Sequence, residues 1–215
     1  MRYTKNKPKA TETDQEETAQ SDVGSFLSML ADDMGRTIGL YGEVNEDNCK
    51  SLVAQLYAMK NSAKYNIAEN GDEELDSCEP MEMIISTEGG HVNEMFAVYD
   101  VIRQVKKQCE IHTIGLGKVM SAGVLLLAAG TKGKRTAGSS CRLMIHSISG
   151  GDFGSIGQLE NNIKEVKWHQ NKFVEALARH SDLSPRQIKS LLRKKSDTYF
   201  DATQALKWGI IDEIF

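Results

Sequence analysis

Ser121 stands where a serine can act as a nucleophile, in the run Gly117-Lys118-Val119-Met120-Ser121-Ala122-Gly123, directly before the apolar stretch 124–129. The flanking glycines allow a sharp turn and a close approach by another segment. The first turn of a helix has N–H groups without intrahelical partners, and these can stabilise a negatively charged oxygen. Small residues before a buried helix usually indicate close packing alone. The pattern becomes more specific because a histidine follows one predicted strand later.

His146 ends the predicted strand 142–145 and is the candidate base. Hydrolysis of an amide requires an activated nucleophile, a base that later protonates the leaving amine, and donors for the oxyanion. We assign Ser121 as the nucleophile and His146 as the base. Sequence spacing does not identify the group that orients the imidazole, because triads are defined by geometry. The aspartates that could fill that role are Asp152, Asp182, Asp197, Asp201 and Asp212.

Composition and charge exclude several classes of function. The chain has 215 residues, with 26 basic and 30 acidic side chains, and none of its basic runs is interleaved with aromatic residues. A binder of single-stranded nucleic acid would need such a pattern. The longest apolar run, 124–129, is too short to span a bilayer. The amino-terminal segment lacks the apolar centre of a secretory signal. We therefore expect a cytoplasmic protein that binds neither nucleic acid nor membranes.

Neither a metal nor a cofactor is expected from the sequence. Cys49, Cys78, Cys109 and Cys141 have no C-x-x-C spacing, so they are predicted to be free thiols in a reducing compartment rather than zinc ligands. The histidines other than His146 also lack the spacing of metal ligands. The Gly-Lys pairs at 117–118 and 133–134 lack the remainder of a phosphate-binding loop. We expect no hydrolysis of ATP by this chain.

Three segments of the chain differ in composition. Residues 1–25 are mostly polar and charged, and we expect them to form a flexible amino-terminal segment. Residues 26–215 are expected to form one α/β domain, a size that can bury a substantial core. Within this domain, 66–80 is rich in Glu and Asp and has little to bury. This stretch is predicted to be an exposed acidic loop inserted into the domain.

Strands and helices are predicted to alternate along the domain. Apolar patterns predict strands at 36–42, 81–86, 111–115, 142–145 and 210–215. Helices are predicted at 122–129 and at 156–180, and three more are predicted to begin at the capping residues Asn45, Ser184 and Asp201. A further helix is predicted after the glycines at 89–90, with the apolar residues Met95, Val98, Ile102 and Val105. Strands that alternate with helices favour a largely parallel sheet covered on its faces, with polar sites at the strand ends.

The motifs in combination resemble those of the proteolytic subunits of the Clp protease family. The chain has Gly117-x-x-x-Ser121-x-Gly123 followed by Leu-Leu-Ala-Ala-Gly, and then Met-Ile-His146 followed by Gly150-Gly151. The segment 197–212, Asp-Thr-Tyr-Phe-Asp-Ala-Thr-Gln-Ala-Leu-Lys-Trp-Gly-Ile-Ile-Asp, is also similar to that family. The resemblance covers about 36–215. It implies a crotonase-like fold of repeated strand–helix units with a protruding long helix, and assembly into rings.

The resemblance also implies roles for particular residues. Asp197 matches the third member of the family's triad, beside Ser121 and His146. The backbone N–H groups of Gly90 and Ala122 match the family's oxyanion donors. Segments that bracket an extended peptide substrate are expected at both sides of the site. Their residues are Gly89, His91, Val92, Ser149 and Gly150.

The same resemblance implies partners. Family members form rings of seven subunits, usually as two stacked rings, and an ATP-driven unfoldase feeds them polypeptides. Some positions depart from the family pattern. Thr87-Glu88 replaces the usual Ser-Pro before the two glycines, and Ser196 stands where an arginine usually joins ion pairs between rings. Glu82 and Ile84 occupy positions where aromatic side chains help receive the unfoldase. We therefore expect altered docking positions.

Two other functions are compatible with these sequence features. A regulatory or structural subunit of a mixed ring would keep the fold but have little activity alone, which the altered assembly positions would favour. A crotonase relative that acts on acyl-CoA thioesters would use backbone donors and a carboxylate, and the Ser121–His146 pair argues against it. A serine endopeptidase subunit is the function that the sequence favours.

Overall fold

Seven strands form one sheet within the residues that the structure, a computed structural model, describes: 35–69, 78–151, 153–193 and 196–215. Side chains are described for these residues except 62–69. The strands are β1 (Thr37–Val44), β2 (Cys78–Gly90), β3 (Cys109–Met120), β4 (Arg135–Ala137), β5 (Arg142–Ile145), β6 (Thr198–Asp201) and β7 (Glu213–Ile214). Residues 36–215 form one compact unit.

Six helices connect and cover these strands in the described part of the chain. They are α1 (Glu46–Glu69), α2 (Val92–Val105), α3 (Ala122–Ala128), α4 (Ile156–Arg179), α5 (Pro185–Leu192) and α6 (Ala202–Lys207). Polar side chains cap several of their amino termini, as their sequence predicts. Asn45 accepts from the backbone N–H of Asn48 before α1, and Ser184 forms a capping box with Gln187 before α5.

The strand order places the end of β3 at the centre of the fold. Strands β1, β2, β3, β4 and β7 are parallel neighbours in that order. The first part of β3 pairs with β4, whereas its last residues, from Lys118 to Met120, pair with β5 from Arg142 to Met144. Strand β6 then pairs antiparallel with β5. As a result, the carboxyl ends of β3 and β5 meet at one edge of the sheet.

Helix α3 lies in the interior against β2 and β3. All seven of its residues are buried. Helix α2 buries Met95, Val98, Ile102 and Val105 on one face, the same four positions that the sequence assigns to its core side. Helix α4 is buried only near its carboxyl end, from Phe173 to Leu177, while its first turns, 156–172, have no buried residue.

Several predicted bounds are wrong. Helix α1 continues to Glu69 and β2 begins at Cys78, so the predicted loop 66–80 is helical at one end and a strand at the other. Residues 70–77 lie outside the described residues, as do 1–34. The compact unit begins at residue 36, and the predicted domain start at 26 falls among undescribed residues. Strands β4 and β6 are short and were not predicted, because their few residues have no distinct periodicity.

The prediction that all four cysteines are free thiols is wrong for two of them. Cys78 and Cys109 occupy paired positions of the neighbouring strands β2 and β3 and form a disulfide bond. Register between distant strands brings them together, and their spacing in the sequence did not indicate it. Cys49 and Cys141 are free and buried, and burial raises the pKa of each thiol to about 11. These two thiols are therefore protonated and unreactive near neutral pH.

We predict that reduction of the Cys78–Cys109 bond lowers the free energy of unfolding by about 3–4 kcal/mol, because the bond closes a loop of 31 residues in the unfolded chain. Denaturant unfolding with and without a dithiol reductant measures this difference. A variant with both cysteines replaced by alanine should be insensitive to the reductant. Equal unfolding free energies for oxidised and reduced wild-type protein would contradict the prediction.

Candidate active site

Ser121 adopts a backbone conformation that few residues other than glycine tolerate. It lies between β3 and α3 with φ of 53° and ψ of −115°, and no other non-glycine residue among those described has a positive φ. Such a conformation costs roughly 1–3 kcal/mol and persists only where the surroundings fix it. Here the Ser121 N–H donates to the carbonyl of Met144 at 2.7 Å, and Ser121 accepts from the N–H of Val124. The serine is held at the junction of two paired strands and a buried helix.

His146 follows β5 directly and contacts the serine. Its Nε2 lies 2.8 Å from the Ser121 Oγ, which is hydrogen-bonding distance. The pairing of Met120 with Met144 places both residues at the same end of neighbouring strands. A serine hydroxyl that donates to an imidazole nitrogen is the arrangement required for removal of its proton. The two residues that the sequence assigned as nucleophile and base are therefore adjacent in space.

Asp197 lies on the other side of the His146 ring. Strand β6 pairs Thr198 with Ile145, so the preceding residue, Asp197, comes opposite the residue that follows β5. The Asp197 Oδ1 is 3.8 Å from His146 Nδ1. This distance is within the range of an ion pair but too long for a hydrogen bond. The carboxylate is 46% exposed, so it is not fixed by packing.

Three of the other candidate aspartates have different partners. Asp201 accepts from a backbone N–H in the first turn of α6 and caps that helix. Asp182 lies beside the Lys132 ammonium. The carboxylate of Asp212 accepts two hydrogen bonds from the buried guanidinium of Arg135, at 2.6 and 2.7 Å. Burial alone would raise the pKa of Asp212, but these bonds outweigh it and lower the pKa. The remaining candidate, Asp152, lies outside the described residues.

Gly89 and Gly90 end β2 directly beside the serine, at positions where a side chain would not fit. A Cβ atom on Gly89 would lie 2.7 Å from the Cβ of Ser121, and one on Gly90 would lie 2.3 Å from the Val44 carbonyl oxygen. Gly89 has φ of +94°, which glycine adopts without strain. Gly90, Ala122, Ser121 and His146 line one cavity. The backbone at Gly90 and at the first turn of α3 therefore faces the same space as the serine hydroxyl.

This cavity has a volume of about 330 Å³ and an apolar side. His91, Val92 and Ser149, three of the predicted substrate-binding residues, line this cavity, whereas Gly150 lines a separate cavity beside α4. Gly89 lies against Ser121 instead of lining the cavity wall. Four further lining residues were missed by the sequence analysis: Glu88, Met95, Ile148 and Phe173. Met95 and Phe173 come from the core faces of helices, so their spacing in the sequence did not indicate that they also line the cavity.

One of the residues that line the cavity, Glu88, forms an ion pair with Lys118. The Lys118 Nζ is 2.5 Å from the Glu88 Oε1, and this pair joins the end of β2 to the end of β3. The hydrogen bond and the positive charge of Lys118 keep the pKa of Glu88 below its ordinary value. Glu88 is therefore ionised at neutral pH. Both side chains are largely exposed, so solvent weakens the pair.

The described residues contain neither a candidate metal site nor a helix that could span a membrane. Within 35–69, 78–151, 153–193 and 196–215, His, Cys, Asp and Glu side chains do not gather in groups of three that could hold a metal ion. None of the helices in these same ranges combines the length and the apolar character needed to cross a bilayer.

Comparisons with known proteins agree on one family. The family model described as Clp protease matches residues 20–215. The chain is also 32% identical over 181 residues to the ATP-dependent Clp protease proteolytic subunit 2 of Corynebacterium jeikeium (strain K411). That alignment covers 84% of this chain and 78% of the relative.

We predict that Gly89→Ala slows the reaction of Ser121 with a fluorophosphonate probe by about 100-fold or more, because the new methyl group must displace the serine and a shift near 1 Å has an effect of that size. Labelling rates followed by mass spectrometry measure this effect. Gly133→Ala is a matched control: Gly133 has φ of +86°, and a Cβ there meets nothing within 4 Å. Equal labelling rates for the two variants would contradict the assigned contact.

Proposed function

This chain belongs to the Clp protease family and is a serine endopeptidase subunit of that family, and we propose that Ser121, His146 and Asp197 form its catalytic triad. The observation that carries the assignment is the 2.8 Å contact between Ser121 Oγ and His146 Nε2 at the wall of a cavity. A serine with only a structural role would not require a histidine partner in a cavity that is open to solvent.

In the proposed reaction, Ser121 Oγ attacks the carbonyl carbon of the scissile peptide bond. The His146 Nε2 takes the hydroxyl proton as the new C–O bond forms, and the resulting imidazolium then gives that proton to the leaving amine. The acyl group remains as an ester on Ser121. A water molecule, deprotonated by the same nitrogen, hydrolyses the ester and restores the serine.

The backbone N–H groups of Gly90 and Ala122 are proposed to stabilise the oxyanion of each tetrahedral intermediate. Ala122 is the first residue of α3, where N–H groups have no intrahelical partner and the helix dipole is positive. Gly90 reaches the same cavity because β2 ends against the serine. Donors that are already oriented before the charge develops contribute roughly 3–4 kcal/mol each in acyl transfer.

Asp197 is proposed to orient the His146 ring and to stabilise its cation. The separation of 3.8 Å between Asp197 Oδ1 and His146 Nδ1 would have to shorten by about 1 Å for a hydrogen bond. Such bonds often tighten only when substrate is bound. The exposed position of the carboxylate leaves room for this movement. Asp201 is unsuited to the role because it already caps α6.

The substrate is proposed to be an extended polypeptide that lies between two backbone segments. One segment ends β2 and continues into α2, with Gly89, His91 and Val92. The other follows His146, with Ser149 and Gly150, and could pair with the peptide as an added strand. Val92, Met95 and Phe173 form an apolar wall beside Ser121, which favours an apolar side chain next to the scissile bond.

Assembly into rings of seven subunits, with an ATP-driven unfoldase as partner, is proposed from the family. The relative from C. jeikeium is named as ATP-dependent. In this chain, the exposed apolar residues of α4, Ile156 and Ile163, are consistent with burial against another subunit. We also propose a cytoplasmic location, in which the Cys78–Cys109 pair would be reduced. The alternative of a subunit with little activity is not favoured by the family comparisons.

The expected result for Ser121→Ala is complete loss of fluorophosphonate labelling, with peptidase activity lowered by several orders of magnitude. Labelling and hydrolysis of a fluorogenic peptide are measured on the same sample after separation by native mass. The wild-type protein should label on a large oligomer. Undiminished peptidase activity in Ser121→Ala would exclude this serine as the nucleophile.

Replacement of Asp197 by asparagine should lower kcat by roughly 100- to 10,000-fold, because an amide no longer holds the required tautomer of His146. The matched control is Asp201→Asn, which keeps a side chain that caps α6 equally well. Steady-state kinetics on a peptide substrate distinguish the two. If both variants retain wild-type kcat, Asp197 is not a member of the triad.

A further inference from the structure

Thr87 is a buried polar residue at the end of β2 that has no role in the reaction as described so far. Its side chain is fully buried, and among the described residues only Thr113 and Arg135 are other buried polar or charged residues. Thr87 lies two residues before Gly89, in the strand that delivers the proposed oxyanion donor Gly90. A buried hydroxyl must find hydrogen-bond partners, so its partners indicate what it holds in place.

The Thr87 hydroxyl bonds to backbone on both sides. Its Oγ1 accepts the N–H of Gly89 at 2.9 Å and donates to the carbonyl oxygen of Gly42 in β1. The bond to Gly89 restrains the peptide plane between Glu88 and Gly89, which is one plane before the one that carries the Gly90 N–H. The bond to Gly42 ties the same turn to the neighbouring strand. The hydroxyl therefore restrains the end of β2 where the backbone leads into Gly90 and passes beside Ser121.

The Thr87 methyl group contacts the other oxyanion element. A Cβ atom on Gly123 would lie 2.5 Å from the Thr87 Cγ2, so the methyl packs directly on the backbone of the first turn of α3. Ala122, the second proposed donor, precedes Gly123 in that turn. One side chain thus touches both backbone segments that supply the proposed donors, the hydroxyl on one side and the methyl on the other.

We propose that Thr87 is a positioning residue that sets the spacing and direction of the two oxyanion donors. This inference rests on the proposed function of Ser121, Gly90 and Ala122. Negative charge appears on the substrate oxygen only in the transition state and the intermediates, so misplaced donors weaken the transition state more than the bound substrate. Loss of the Thr87 hydroxyl should therefore lower kcat and leave KM nearly unchanged.

If Thr87 had a purely structural role, its replacement would lower stability without a specific loss of kcat. Thr113 provides the comparison, because it is equally buried and lies in the neighbouring strand β3. Its hydroxyl donates to the carbonyl of Leu127 at 2.7 Å, near the opposite end of the same helix α3. Thr87→Val and Thr113→Val remove one buried hydroxyl each with little change in shape. Both variants should lose stability, but only the first should disturb the oxyanion donors.

The experiment compares wild type, Thr87→Val, Thr87→Ser and Thr113→Val. For each protein, kcat and KM are measured on a fluorogenic peptide. The inhibition constant of a peptide boronic acid, whose adduct with the serine is a tetrahedral anion, is measured in parallel. Denaturant unfolding reports stability. Thr87→Val should lower kcat 10- to 100-fold, weaken boronate inhibition by a similar factor and change KM less than twofold. Thr87→Ser, which keeps the hydroxyl, should stay within threefold of wild type.

Equal kcat values for Thr87→Val and Thr113→Val would overturn the proposal. A rise in KM for Thr87→Val with an unchanged kcat would also overturn it. If Thr87→Val does not fold, Thr87→Cys replaces it, because its sulfur fills the site and is only a weak acceptor. Wild-type kcat in Thr87→Cys would then overturn the proposal. Failure of the proposed function itself is distinguishable, since Ser121→Ala would then retain activity or the wild-type protein would show none.

Discussion

The site depends on a change of partner along one side of β3, from β4 to β5, while β2 pairs with the other side. The first part of β3 pairs with β4, and its end pairs with β5, so the chain after Met120 meets the chain after Ile145. This register brings the Ser121 hydroxyl to 2.8 Å from His146. Because each step along a strand reverses the side-chain direction, a slip of one residue would turn one of the two residues away. The backbone hydrogen bonds between β3 and β5 thus place the proposed nucleophile and the proposed base within contact of each other.

A second feature of the site is the close approach of two backbone segments, the end of β2 and the residue before α3. The Gly89–Gly90 turn lies so near Ser121 that a methyl group would not fit, and the serine itself has a strained positive φ. The serine conformation is unfavourable in isolation and persists where buried neighbours such as α3 fix it, whereas glycine adopts its conformation at position 89 without strain. A rigid arrangement of this kind would orient the proposed oxyanion donors before negative charge develops, which is how backbone groups contribute to acyl transfer.

Much of the fold could be predicted from local patterns. The caps at Asn45, Ser184 and Asp201, and the core face of α2, are confirmed because each is encoded within a few residues. Long-range pairing was not accessible in the same way. The disulfide between Cys78 and Cys109 depends on the register of two strands whose residues are far apart in sequence. The prediction of a loop at 66–80 was wrong at both ends, because acidic composition does not by itself exclude helix or strand.

The sequence by itself determined the kinds of residue that could react. A serine before a buried helix, a histidine after a strand and a pair of glycines each have local signatures. Their resemblance to one family indicated the chemistry. Only the tertiary structure decided which groups meet: it places Asp197 beside His146, pairs Asp212 with Arg135, and brings Met95 and Phe173 to the cavity wall. The physical reason is that contacts between distant segments follow from strand register and helix packing, which no short stretch of residues contains.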